Sequence, residues 1–140
     1  MLILAVSANQ EVGVDIEAIK TDKPLNDMAR LAFSPSEQEE LFTLRSSPQH
    51  SKAFYRCWVR KEASLKACGR GFSLPSNSFD VPVCLEKPPM QTTINCNRLF
   101  WHVQDIDVPE NYCAAVAVEA DEASLSPPTI VWAHRFHPFL

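Results

Sequence analysis

The chain has 140 residues, 46% of them hydrophobic and 21% charged, with a formal net charge of −4. That length and apolar content suffice for one domain with a real core, and the balance is that of a soluble globular protein. No run of about 18 apolar residues is present, so no membrane-spanning helix is expected.

Residues 2–7 and 12–18 read as two strands joined by a short turn at Ala8-Asn9-Gln10. Met1 to Val6 is apolar but lacks a basic region and continues into a charged strand, so no signal peptide is expected. In the second strand Val12, Val14 and Ile16 share one face, and Asp15 and Glu17 share the other. Pro24 to Leu31 predicts a short helix. Ser34-Pro35-Ser36-Glu37 is a helix start, with Ser34 as N-cap, Pro35 at the first helical position and Glu37 completing a capping box. That helix is expected to reach about Leu44, and Ser46-Ser47-Pro48 breaks it. A long helix follows from about Gln49 to Cys68, closed by Gly69-Arg70-Gly71, where glycine accepts the left-handed conformation. Beyond Gly71 prolines recur at 75, 82, 88, 89 and 109, and strands are expected near 79–85, 91–95, 99–106 and 112–119. Ser126-Pro127-Pro128 breaks the chain again. The expected organisation is one domain over 1–125 and a tail or added strand over 126–140. Helices in one block and strands in another predict the α+β class.

The cysteines (57, 68, 84, 96 and 113) are odd in number and form no C-x-x-C pair. That points to free thiols in a reducing cytoplasm, not to a disulfide frame or zinc site. The histidines (50, 102, 134 and 137) show no metal-ligand spacing. No aromatic-basic interleaving marks a nucleic-acid surface, and none is expected.

Two segments carry chemistry. The first is Gly13-Val14-Asp15-Ile16-Glu17. Carboxylates side by side repel, and one takes up a proton unless a cation or water separates them. Oxygen-only donors suit Mg²⁺ or Mn²⁺. Alone, the pattern also fits an edge strand with a solvated outer face. The second is Trp58-Val59-Arg60-Lys61-Glu62-Ala63-Ser64-Leu65-Lys66. On a helix Phe54, Trp58, Lys61 and Leu65 fall near one stripe, and Trp58, Glu62 and Lys66 lie four apart on a neighbouring one. Glu62 and Lys66 could be a surface ion pair, or Glu62 a metal ligand or base and Lys66 a phosphate contact. From Ser46 to Phe72 six basic residues stand against one acid, an excess able to attract phosphates and an acidic partner helix.

Together these segments resemble the 4′-phosphopantetheinyl transferases, whose pattern is G-[IV]-D-I-E and then, some 40 residues on, F-x-x-x-W-x-x-K-E-[AS]-x-x-K-x-x-G-x-G. The second block here runs from Phe54 to Gly71. Trp58 is similar to the larger, Sfp-type branch. Phe33-Ser34-Pro35-Ser36-Glu37, Ser73-Leu74-Pro75 with Phe79, and Val103 to Val118 resemble further landmarks of that branch. The resemblance covers about residues 2–120 and matches the C-terminal of two similar lobes. The N-[LI]-S-H-S motif of the first lobe is absent, so a truncated product, a mis-called start or a fragment is expected. The resemblance implies one lobe of the family fold, an antiparallel sheet packed on a long helix and shorter helices. It implies transfer of phosphopantetheine from coenzyme A to a serine of an apo carrier protein, with Mg²⁺, or Mn²⁺, as cofactor. Asp15, Glu17 and Glu62 are the implied metal ligands. Glu62 is the implied activator of the serine, Lys66 the contact to the pyrophosphate and leaving group, and Lys61 a further contact to those phosphates. Trp58 is expected to pack the helix on the sheet. The alternative is a non-catalytic lobe that binds a carrier protein or forms a homodimer.

Overall fold

The computed structural model describes residues 1–69, 74–83, 90–93 and 100–120. Strand β1 spans Val12–Ala18, helix α1 Leu25–Ala32, α2 Pro35–Thr43 and α3 His50–Cys68. A single 3₁₀ turn, Ser76–Ser78, precedes strands β2 (Met90–Thr93), β3 (Phe100–Asp105) and β4 (Tyr112–Ala120). The four strands form one antiparallel sheet in the order β1-β4-β3-β2, and α3 crosses one face of it. This is the α+β arrangement expected from the sequence.

Local chemistry sets the helix ends. The Ser34 side chain accepts from the Glu37 backbone N–H, and the Glu37 carboxylate accepts from the Ser34 N–H at 2.8 Å, so the capping box forms. Gly69 ends α3 with φ of 66°, in the left-handed region.

Residues 2–7 and 79–83, both expected within strands, are not strands. Residues 2–7 make no ladder with any described residue. Ile3 and Ala5 still pack on the sheet face opposite α3, with Val12, Val14, Ile16, Val116 and Val118. In 79–83 the inward alternation of Phe79, Val81 and Val83 is present, but no ladder forms. Pro82 has no N–H to give, and the Val81 N–H donates to Glu37 instead, at 2.6 Å. The expected tail or added strand over 126–140, Cys84 and Cys96 lie outside the described residues.

The core under α3 is built from small side chains. Ala53, Cys57, Ala63 and Ala67 of the helix meet Cys113, Ala115 and Ala117 of β4, with Phe54, Trp101 and Val103 filling the flanks. The tightest approach is at Gly13 of β1. A Cβ there would stand 2.2 Å from the Ala63 carbonyl oxygen and 2.3 Å from the Ala67 nitrogen. Both obstacles are helix backbone, which cannot swing aside. Gly13→Ala is therefore expected to cost at least about 1–3 kcal/mol, the usual range for overpacking. Urea unfolding of the two chains measures it, and an unchanged midpoint would contradict the close approach.

Candidate active site

The period-two alternation of β1 turns Val12, Val14 and Ile16 to the outer sheet face and leaves Gly13, Asp15 and Glu17 on the face that carries α3. Glu62 and Lys66 lie one helical turn apart on the flank of α3 that borders β1. The structure thus brings Asp15, Glu17, Glu62 and Lys66 into one neighbourhood.

Asp15 is 7% exposed. Its Oδ1 accepts from Lys66 Nζ at 2.7 Å, and the same ammonium reaches the Val14 carbonyl at 3.3 Å. Its Oδ2 is buried and has no hydrogen-bond partner among the described residues. Lys66 thus forms a bridge from helix to strand, where a surface pair with Glu62 along the helix was one of the two alternatives. Burial pushes the Glu62 carboxyl above the ordinary carboxylate range, and the charges of Asp15 and Glu17 push it further, against the pull of Lys66. Burial and then Asp15 raise Glu17 too, against the pull of Lys66 and Lys20. Three partly desolvated carboxylates therefore repel one another, with one ammonium inside the group.

Among the described residues no three acidic, histidine or cysteine side chains converge as a ready-made metal cage. The donor chemistry nonetheless fits a hard divalent cation. All donors are oxygens, their net charge is negative, and one buried carboxylate oxygen lacks a hydrogen-bond partner among the described residues. Asp15, Glu17 and Glu62 are the residues that would hold it.

Lys61 is not at this cluster. It is 2% exposed, on the core side of α3. Its ammonium donates to Glu37 Oε1 and to the Phe79 carbonyl, each at 2.7 Å, and lies 4.4 Å from the centre of the Phe79 ring. Its charge is absorbed by protein acceptors, which corrects the expected phosphate contact. The helical stripe shared with Phe54 was the sequence signal for that burial. Part of the basic excess around α3 is also spent internally. Arg60 is buried and grips Asp105 of β3 through two contacts of 2.7 Å, while Arg56 reaches the same carboxylate at 3.5 Å.

Sequence reasoning missed one feature. The role of Gly13 is the close approach already described, signalled by Ala63 and Ala67 spaced four apart on the facing helix. Trp58 packs on Phe54, with ring centroids 5.8 Å apart.

A family model of the 4′-phosphopantetheinyl transferase superfamily matches residues 11–117, which include every residue of this cluster. The chain belongs to that superfamily. A 4′-phosphopantetheinyl transferase of Nostoc, HetI, is 31% identical over 120 residues, 84% of this chain and 47% of its own length. Sfp of Bacillus subtilis is 35% identical over 80 residues, 56% of this chain and 34% of its own. The chain thus spans about a third to a half of the length of these transferase relatives. Among solved structures, the holo-[acyl-carrier-protein] synthase of Thermotoga maritima superposes with a TM-score of 0.58 at 19% identity, over 78% of this chain and 62% of that one. That likeness shows the fold.

The cluster and its surroundings can be tested by stability. Lys61→Met leaves a buried Glu37 charge unpaired and is expected to cost about 3–5 kcal/mol in urea unfolding; a variant as stable as the parent would contradict the buried pair. Glu62, raised in the folded chain, keeps its proton longer there than when unfolded. Its ionisation therefore weakens the fold as pH rises through and above the carboxylate range. Glu62→Gln is expected to raise the thermal midpoint by roughly 1–3 °C near pH 7.5, with the gain vanishing near about pH 4. A lowered midpoint at neutral pH would show that Glu62 is not held under strain.

Proposed function

We propose that this chain supplies the metal- and phosphate-handling part of 4′-phosphopantetheine transfer from coenzyme A to a serine of an apo acyl or peptidyl carrier protein. The observation that carries the reading is the meeting of Asp15, Glu17, Glu62 and Lys66 across β1 and α3, in a chain of this superfamily. Mg²⁺, or Mn²⁺, is the cofactor of this reading, with Asp15, Glu17 and Glu62 as its ligands. When bound, the cation neutralises charge on phosphate oxygens.

The protein's own groups then divide the chemistry. The serine hydroxyl attacks the β-phosphorus of coenzyme A, the bond to 3′,5′-ADP breaks, and the serine proton leaves to a base. Glu62 is that base in this reading, directly or through a water. Lys66 is half-exposed and can trade its hold on Asp15 for the pyrophosphate and the leaving group. Such transfer is mostly positioning and charge neutralisation. Cytoplasmic location goes with this reading, in which Cys57 and Cys113 are buried thiols.

A second reading is a lobe that pairs with another copy without catalysing transfer. Leu2, Leu4 and Val6 favour it: they are 94%, 84% and 85% exposed, and their neighbours Ile3 and Ala5 pack on the sheet. Bare aliphatic stripes of this kind favour association. Sedimentation separates the readings, since a clean monomer at micromolar concentration removes the dimer.

The transfer itself is tested by intact mass. An apo carrier protein incubated with this chain, coenzyme A and Mg²⁺ is expected to gain one phosphopantetheine. Asp15→Ala and Glu62→Gln are expected to abolish the gain while the chain stays folded. No gain with the folded parent chain, or undiminished gain with Glu62→Gln, would overturn the reading.

A further inference from the structure

One row of the sheet holds α3 at two points. Asp15 of β1 stands opposite Ala115 of β4, and Ala115 stands opposite Asp105 of β3. Residues directly opposite in an antiparallel pair share a face, so Asp15 and Asp105 flank Ala115 on the face that carries the helix. Two strand spacings of about 4.8 Å separate them. The helix is bonded to both. Lys66 reaches Asp15 at 2.7 Å, and Arg60 reaches Asp105 through Nε and Nη2, each at 2.7 Å.

The two points differ in kind. Lys66 is half-exposed, and its ammonium can swing away. Arg60 is buried, its guanidinium also donates to the Pro82 carbonyl, and Arg56 lies 3.5 Å from the same carboxylate. A two-pronged contact fixes direction as well as distance. Stability alone does not call for it, since apolar residues of similar volume often replace a buried ion pair at no cost. Lys61 grips Glu37 about 100° further round the helix. Glu62 comes next in the chain, and among the described residues no hydrogen bond holds its carboxylate. Its place is therefore set by the helix. At a radius of about 5–6 Å, a rotation of about 10° would carry that carboxylate about 1 Å, whereas metal–ligand distances tolerate about 0.2 Å.

We infer that Arg60 is a positioning residue: its grip on Asp105 holds the rotation of α3, and with it Glu62 beside Asp15, when Lys66 leaves Asp15. The inference rests on the metal reading given under the proposed function. It adds to that reading the contact that keeps two ligands from different elements in register.

Two measurements on the full chain test it. The first needs no metal. With ¹⁵N-labelled arginine, the Arg60 Nε–H, identified by its loss in Arg60→Lys, is expected to exchange slowly with solvent in the parent and rapidly in Asp105→Asn. The second is Mn²⁺ titration followed by electron paramagnetic resonance, at a temperature where circular dichroism shows the chains folded. Arg60→Lys keeps the charge and removes the two-pronged geometry. It is expected to bind Mn²⁺ about tenfold more weakly than the parent, the low end of what partners that orient a ligand contribute. Asp105→Asn is expected to do the same. Leu25→Ala truncates a buried side chain of α1; it is expected to lower the thermal midpoint and keep the parent affinity, so lost stability alone does not move this readout. Rapid exchange of the Arg60 Nε–H in the parent, parent-like Mn²⁺ affinity in either folded clamp variant, or an equal loss in Leu25→Ala would overturn the inference alone. A parent chain that binds no Mn²⁺ would overturn the metal reading, and this inference with it.

Discussion

At Gly13 the backbone of β1 lies directly against the backbone of α3, with no room for a side chain between them. The functional cluster depends on this contact. Asp15 and Glu17 follow Gly13 by two and four residues on the same strand face, so they project along the flank of the helix wherever the glycine seats it. Ala63 provides the matching surface, and Glu62 is its neighbour; Ala67 does the same, next to Lys66. A helix lifted by one methyl group would carry Glu62 and Lys66 away from Asp15. The 2.7 Å bridge between Lys66 and Asp15 reports how closely the two elements are registered.

Contact at one point does not fix rotation, and α3 is held about its axis by buried charges on its other sides. Lys61 reaches Glu37, which also caps α2 and binds the backbone at Val81. Arg60 reaches Asp105 of β3 and the Pro82 carbonyl. Such pairs are weak sources of stability because both charges lose water. Their directionality sets rotation instead. An apolar contact tolerates sliding, whereas a two-pronged guanidinium–carboxylate contact does not. The cluster, by contrast, stores repulsion. Glu17 and Glu62, raised by burial and by the charge of Asp15, favour whatever brings positive charge. In the protein alone Lys66 fills that role in part.

Much of this was legible in the sequence because it rests on local rules. The capping box at Ser34, the left-handed glycine at Gly69, the α+β order and the two faces of β1 all follow from near-neighbour chemistry. The meeting of Asp15 with the Glu62–Lys66 segment was legible only through the resemblance between the two motifs and a known family. What escaped were pairings set by tertiary contacts. Residues 2–7 carry a strand pattern, but a strand also needs a ladder partner. The 79–83 segment alternates correctly, yet its Val81 N–H goes to a buried glutamate. Lys61, beside Glu62 in sequence, was a phosphate contact only as the resemblance implied it. One residue on an α-helix is a turn of about 100°, and that rotation carries it from the site into the core.

The central claim is that the seat of α3 on β1 makes one cation-binding cluster from Asp15, Glu17 and Glu62. The most direct measurement is anomalous diffraction from crystals of this chain grown with Mn²⁺. The account predicts an anomalous peak bonded to Asp15 and Glu62, with Glu17 bound directly or through a water and Lys66 displaced from Asp15 Oδ1. A well-ordered chain with no peak at that cluster, or with Mn²⁺ bound only elsewhere, would contradict it.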